Sequence, residues 1–112
     1  MRVIVAGSRN CQDYGTVARA IAESGFEIDT LLSGGAAGVD TLGEQYAKKH
    51  GIPVERHTPD WQKYGRSAGP IRNREMAMQA DALVAIHAGG KGTENMIAEA
   101  KKRGLKIHVH SI

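Results

Sequence analysis

The chain has a single cysteine, Cys11, which excludes an internal disulfide and a thiolate metal site and reads as an inert small side chain. No apolar run approaches the roughly 18 residues that a membrane span requires. The apolar segment after Met1-Arg2 is far too short for the core of a signal peptide, so a cytoplasmic protein with no membrane partner is expected. Neither charge sign dominates: the net charge is +3 and the pI about 9.2, which suits anionic ligands but falls short of a dedicated duplex-binding protein. Aromatic side chains number five, and two of them, Trp61 and Tyr64, share one short segment.

At 112 residues, 41% hydrophobic and 24% charged, the chain suits one globular domain over residues 1–112. Glycine is abundant, with 14 residues, nearly twice the usual share, and it is clustered. Apolar runs of strand length alternate with helical patterns, the rhythm of repeated βαβ units. Strands are expected at Val3–Ala6, Thr30–Leu32, Val54–His57, Ala82–Ile86 and Ile107–His110. Helices are expected to Ser24, to Lys49, over about 71–80 and over about 94–103, each closed by Gly or by the next strand.

The first, second and fourth strands are apolar on both faces, whereas the third and fifth alternate as half-exposed edges do. Right-handed crossovers then give an α/β fold, a Rossmann-like domain with a five-stranded parallel sheet in the order 3-2-1-4-5 and helices on both faces. The winding reverses between strands one and four, and a ligand is expected there, at the carboxyl ends of the strands.

Three loops converge on that crevice: Gly7-Ser8-Arg9, Ser33-Gly34-Gly35-Ala36-Ala37-Gly38-Val39-Asp40, and Gly89-Gly90-Lys91-Gly92-Thr93. Glycines allow backbone N–H groups to approach a phosphate, and a following helix N-terminus adds unpaired donors. Ser8, Ser33 and Thr93 add hydroxyls, Arg9 and Lys91 add charge, and Asp40 is suited to orient a ribose or cap the second helix. The spacing matches neither a Walker loop nor the dinucleotide fingerprint, which excludes an ordinary P-loop NTPase or NAD dehydrogenase.

Pro70 suits a helix start, which would put Arg72, Asn73 and Arg74 in or near a first turn, where two guanidiniums call for an anion. Residues 58–68 read as a long loop, with Trp61 and Tyr64 available to stack a base or to pack the loop on the sheet. His108 and His110 share one face of an edge strand, while His50, His57 and His87 lie at separate element ends, so no metal and no cofactor is expected. Gly7-Ser8-Arg9 lacks the frame of a nucleophile elbow. Lys101-Lys102-Arg103 suits a solvated helix end. Met76, Met78, Met96 and Ile97 offer more apolar surface than one face needs, which suggests a homo-oligomer, dimer or tetramer.

In combination, Val5-Ala6-Gly7-Ser8-Arg9, Ser33 to Asp40, Asp60-Trp61, Gly69-Pro70-Ile71-Arg72-Asn73-Arg74-Glu75-Met76 and Gly90-Lys91-Gly92-Thr93 resemble the YspA, cpYpsA-related family of the SLOG superfamily. The resemblance implies a Rossmann-like domain of bacteria, phages and other mobile elements that senses or processes nucleotide-derived ligands. Within the superfamily, the Lonely Guy phosphoribohydrolases cleave a nucleoside monophosphate with an Arg, which Arg74 matches, and a Glu three residues past the Thr of their glycine motif. Met96 occupies that Glu position here, leaving Arg74, Glu75 and Glu94, with Asp40 behind them, as candidate catalytic residues for an N-glycosidic hydrolase. The DNA-processing protein A family is similar at Gly7-Ser8-Arg9, Tyr14-Gly15, Ser33-Gly34, Gly38-Val39-Asp40 and Arg72-Asn73-Arg74, which implies single-stranded DNA as an alternative partner. Lys63, Arg66, Arg72, Arg74 and Lys91 would then contact phosphates, and Trp61 or Tyr64 would stack bases. Whether a bound nucleotide is altered stays open on the residues.

Overall fold

Five parallel strands form one sheet in the order β3-β2-β1-β4-β5, and the computed structural model describes residues 1–112. They are β1 (Arg2–Gly7), β2 (Thr30–Ser33), β3 (Val54–Arg56), β4 (Ala82–His87) and β5 (Lys106–Ser111). The helices are α1 (Tyr14–Ser24), α2 (Val39–Lys49), the single turn α3 (Trp61–Tyr64), α4 (Ala68–Gln79) and α5 (Lys91–Lys102). A 3₁₀ turn at Gly65–Ser67 joins α3 to α4. The expected strand order and both edge strands are those observed.

The alternation of side chains along each strand divides the core in two. Val3 and Val5 of β1, Leu31 of β2 and Val84 and Ile86 of β4 pack with Val17, Ala20 and Ile21 of α1 and Val39 and Ala47 of α2. Ile4, Leu32, Leu83 and Ala85 face the other way, onto Met76 and Ala77 of α4 and Met96 and Ala100 of α5. The register Val3↔Ala82 through Gly7↔Ile86 aligns β1 and β4 so that their loops leave the sheet side by side. Arg2 fastens the opposite end, donating to the Gln79 carbonyl at 2.8 Å and to Glu55 Oε2 at 2.6 Å.

Three differences from the sequence reading bear on the site. Asp60 caps α3 by accepting from the Lys63 N–H at 3.0 Å, so the supposed long loop is a helical turn, a 3₁₀ turn and the start of α4. Because α4 begins at Ala68, Arg72, Asn73 and Arg74 lie in its second turn, beyond the reach of the macrodipole argument. α5 begins at Lys91 rather than Glu94, which puts Lys91, Gly92 and Thr93 in its first turn. Met76 and Met96 are 1% exposed and belong to the core, so of the four residues expected to drive self-association only Met78, at 62% exposure, is an open apolar side chain.

Candidate functional site

The loops after β1, β2 and β4 surround a cleft of about 800 Å³, within the range of small-molecule sites. It lies over the reversal of winding between β1 and β4. Gly7, Ser8 and Arg9 line it from the β1 loop and Ala36 and Asp40 from the β2 loop and α2. Arg72, Asn73 and Met76 come from α4, and Gly90, Lys91, Gly92, Thr93, Asn95 and Met96 from the start of α5. Trp61, 51% exposed, stands at the rim, with its ring 3.7 Å from where a Cβ on Gly69 would lie.

Two glycines owe their identity to packing. A Cβ on Gly7 would overlap the Ile86 carbonyl oxygen, and one on Gly38, at φ +76°, would overlap the Ser8 carbonyl. These approaches bring the three loops together: the Ser8 N–H donates to the Ile86 carbonyl at 3.2 Å, and the Ser8 carbonyl accepts from the Val39 N–H at 3.0 Å.

The N-terminus of α5 is open. Gly90 is its N-cap and supplies no side-chain cap, so the first-turn amides at the cleft lack the usual side-chain acceptor. Thr93 is 7% exposed and borders the cleft beside them, and Lys91 and Arg9 are exposed at its edge. This arrangement of backbone donors, a hydroxyl and cations is one that an anion fits.

Arg72 is held in place. Its Nη1 donates to the Gly34 carbonyl at 2.8 Å and the His57 carbonyl at 3.4 Å, and its Nε donates to Asn73 Oδ1 at 2.9 Å. Asn73 in turn donates through Nδ2 to Asn95 Oδ1 at 2.9 Å, tying α4 to α5. Burial outweighs the neighbouring carboxylate of Asp40 and lowers the Arg72 pKa. Asp40, 6% exposed, is pushed up to about 6 by burial, against the Ala36 N–H that its Oδ2 accepts at 3.2 Å and the attraction of Arg72 and Arg9.

Several residues singled out in the sequence stand elsewhere. The Ser33 hydroxyl is buried, donates to Glu44 Oε2 at 2.6 Å and accepts from the Gly35 N–H at 3.1 Å, so it is already engaged within the protein. Arg56 completes that group through its own bonds to Glu44. Gly34, Gly35, Gly38 and Gly89 shape the loops but do not border the cleft. Arg74, Glu75 and Glu94 are exposed and outside the cleft wall, whereas Met96, at the position of the Lonely Guy carboxylate, is in that wall. Lys63 and Tyr64 pair with each other, with Nζ 5.1 Å from the ring centroid.

Asn10, Cys11, Ala88, Asn95 and Ile112 line the cleft but lay outside the motifs that the sequence reading placed there. With α5 starting at Lys91, the i, i+3, i+4 spacing of Gly92, Asn95 and Met96 would have put them on one face.

The profile of one protein family, YspA, cpYpsA-related SLOG, matches residues 1–64, more than half of the chain. The chain belongs to this SLOG family. Its sequence is 34% identical to the Gene 61 protein of Mycobacterium phage D29 over 95% of this chain and 93% of that protein. Among solved structures, the SLOG domain superposes on DNA processing protein A of Streptococcus pneumoniae with a TM-score of 0.78 and 18% identity, over 96% of this chain. This chain spans about half of that protein, 49% of its length. It also superposes on TM1055, a structural-genomics target, with a TM-score of 0.70 and 21% identity, over 95% of this chain and 71% of the other. At these identities the two structures establish the fold alone. No helix of the SLOG domain is long and apolar enough to cross a membrane.

Proposed function

We propose that this SLOG domain binds a nucleotide-derived, phosphate-bearing small molecule in the cleft at the carboxyl ends of its strands, as a sensor or processing module. The observation that carries this reading is the uncapped N-terminus of α5 opening onto the cleft with Thr93 beside it. Arg9 and Lys91 supply positive charge around the phosphate, Arg72 fixes the geometry of the opposite wall, and Trp61 at the rim is suited to cover a base. Binding without base cleavage fits this chain better than N-glycosidase chemistry, because Arg74, Glu75 and Glu94 are off the cleft wall and Met96 offers no carboxylate to an oxocarbenium-like state. A differential scanning fluorimetry panel of nucleoside mono-, di- and triphosphates tests the reading. A selective rise in midpoint supports it, and chromatography of the incubated ligand separates sensing from processing, with the N-glycosidic bond expected intact.

One observation favours a second reading. Trp61 and Tyr64, 51% and 40% exposed, flank Lys63 on one turn beside the cleft, with Arg66 close behind, as a stacking platform for single-stranded DNA would require. A midpoint shift seen only with oligonucleotides and fading as salt rises would replace the small-molecule reading with this one.

A further inference from the structure

Asn73 is 5% exposed, and both ends of its amide are fixed by groups that can play only one part in a hydrogen bond. Arg72 Nε, which can only donate, lies 2.9 Å from Oδ1, and the Gly92 carbonyl, which can only accept, lies 3.4 Å from Nδ2. The same Nδ2 donates to Asn95 Oδ1 at 2.9 Å, so both of its N–H groups are engaged and the orientation passes on to the next side chain. Asn95 must meet Asn73 with its carbonyl, which leaves its own Nδ2 as the free end. That Nδ2 donates to no group of the chain and is not enclosed by it, and Asn95 lines the cleft.

The relay stands at the head of α5. Because one nitrogen, Asn73 Nδ2, reaches both the Gly92 carbonyl and Asn95 Oδ1, the Asn95 amide lies against the first turn of the helix. Helical side chains lean towards the N-terminus, so a residue three positions after Gly92 is suited to that place. The helix makes its first bond from the Glu94 N–H to the Gly90 carbonyl, so the N–H groups of Lys91, Gly92 and Thr93 precede its hydrogen-bond ladder. Thr93, 7% exposed, has a hydroxyl that bonds to no group of the chain and is not enclosed by it. An apolar residue at position 73 could join α4 to α5 without desolvating an amide. What the amide pair adds is direction: a donor of fixed orientation beside the free amides.

Building on the phosphate reading above, we propose that Asn95 is a further binding residue of the cleft, donating through Nδ2 to an oxygen of the ligand's phosphate. Asn73, anchored by Arg72, is the positioning residue that turns that amide donor-outward.

Isothermal titration of the full chain with inorganic phosphate and with adenosine 5′-monophosphate, beside melting curves, tests this. Asn95→Ala weakens both ligands by about 10-fold, since both carry the acceptor. Asn95→Asp still accepts from Asn73 and keeps the tie between the helices, so its Tm stays with the parent's while both affinities fall at least as far as in Asn95→Ala. A residue that only joined α4 to α5 would give the reverse, with Asn95→Asp binding as the parent does. Asn73→Leu weakens both ligands in the parent but costs nothing further once Asn95 is replaced by Ala, and losses that add would remove the positioning role. Unchanged affinities in Asn95→Ala, or a loss confined to the nucleotide, overturn the assignment and leave the phosphate reading standing. A parent that binds neither ligand overturns both. If Asn73→Leu does not fold, Asn73→Ala takes its place in the same cycle.

Discussion

Arg72 Nη1 donates to the carbonyl of Gly34 across 2.8 Å, bringing α4 against the loop that follows β2. A Cβ on Gly34 would overlap that guanidinium, whereas a Cβ on Gly7 would overlap the backbone carbonyl of Ile86. The two glycines therefore answer differently to the same substitution. Gly34→Ala meets side-chain rather than backbone atoms, the Arg72 guanidinium and Asp40 Oδ2, so it should lower Tm less than Gly7→Ala does while ligand affinity falls. Gly7→Ala strains the β1–β4 junction and should lower stability by about 1–3 kcal/mol in chemical denaturation. Equal losses of stability in the two variants would contradict this distinction.

Asp40 links pH to stability. Its folded pKa of about 6 lies above the ordinary 3.8, so between those values the folded state holds a proton that the unfolded chain releases. Stability from this group is therefore present below about pH 4 and is lost as pH rises through 6, a penalty of about 3 kcal/mol. Asp40→Asn should match the parent near pH 4 and exceed it in Tm at pH 7. A variant less stable than the parent at pH 7 would show that the carboxylate is compensated in a way the geometry does not reveal.

Thr93 is 7% exposed at the first turn of α5 and borders the cleft. Thr93→Val keeps its shape and removes only the hydroxyl, so affinity for a phosphate-bearing ligand should fall about 10-fold with little change in Tm. Titration calorimetry beside a melting curve separates the two effects, and unchanged affinity would remove the hydroxyl from the site.

Arg74 and Glu94 are exposed and outside the cleft wall. Arg74→Ala and Glu94→Gln should bind nucleotides as the parent does, and the parent should release no free base from nucleoside monophosphates on chromatography. Base release that disappears in either variant would restore the hydrolase reading.

The strand order was legible because polarity distinguishes the edges: Ala82 to Ile86 is apolar throughout and buried, while Val54-Glu55-Arg56 and Lys106 to Ser111 alternate or are exposed. The convergence of the three glycine loops followed from that order. Helix starts were less legible. Gly90 and Gly92 read as loop, although Gly90 is the N-cap of a helix that already includes Lys91, and the four residues of α3 are too few to show a period. The Ser33 hydroxyl looked free for a ligand because its partner Glu44 lies eleven residues away on α2, a pairing that only the packing of α2 on the sheet creates. Met76 and Met96 looked like surplus surface because sequence alone does not say that β1 and β4 present Ile4, Leu83 and Ala85 to them.

The open N-terminus of α5 is tested most directly by giving the helix a cap of its own. Gly90 has extended backbone, φ −78° and ψ 145°, and a Cβ there would meet nothing within 4 Å, so Gly90→Asp fits without strain. Its carboxylate would occupy the same amides as the proposed phosphate. Melting curves of the parent and Gly90→Asp, each with and without adenosine 5′-monophosphate, read both consequences. The variant alone should melt higher, by about 1 kcal/mol of added stability, and the ligand-induced rise seen in the parent should vanish. A ligand-induced rise of equal size in both proteins would contradict the anion site at α5.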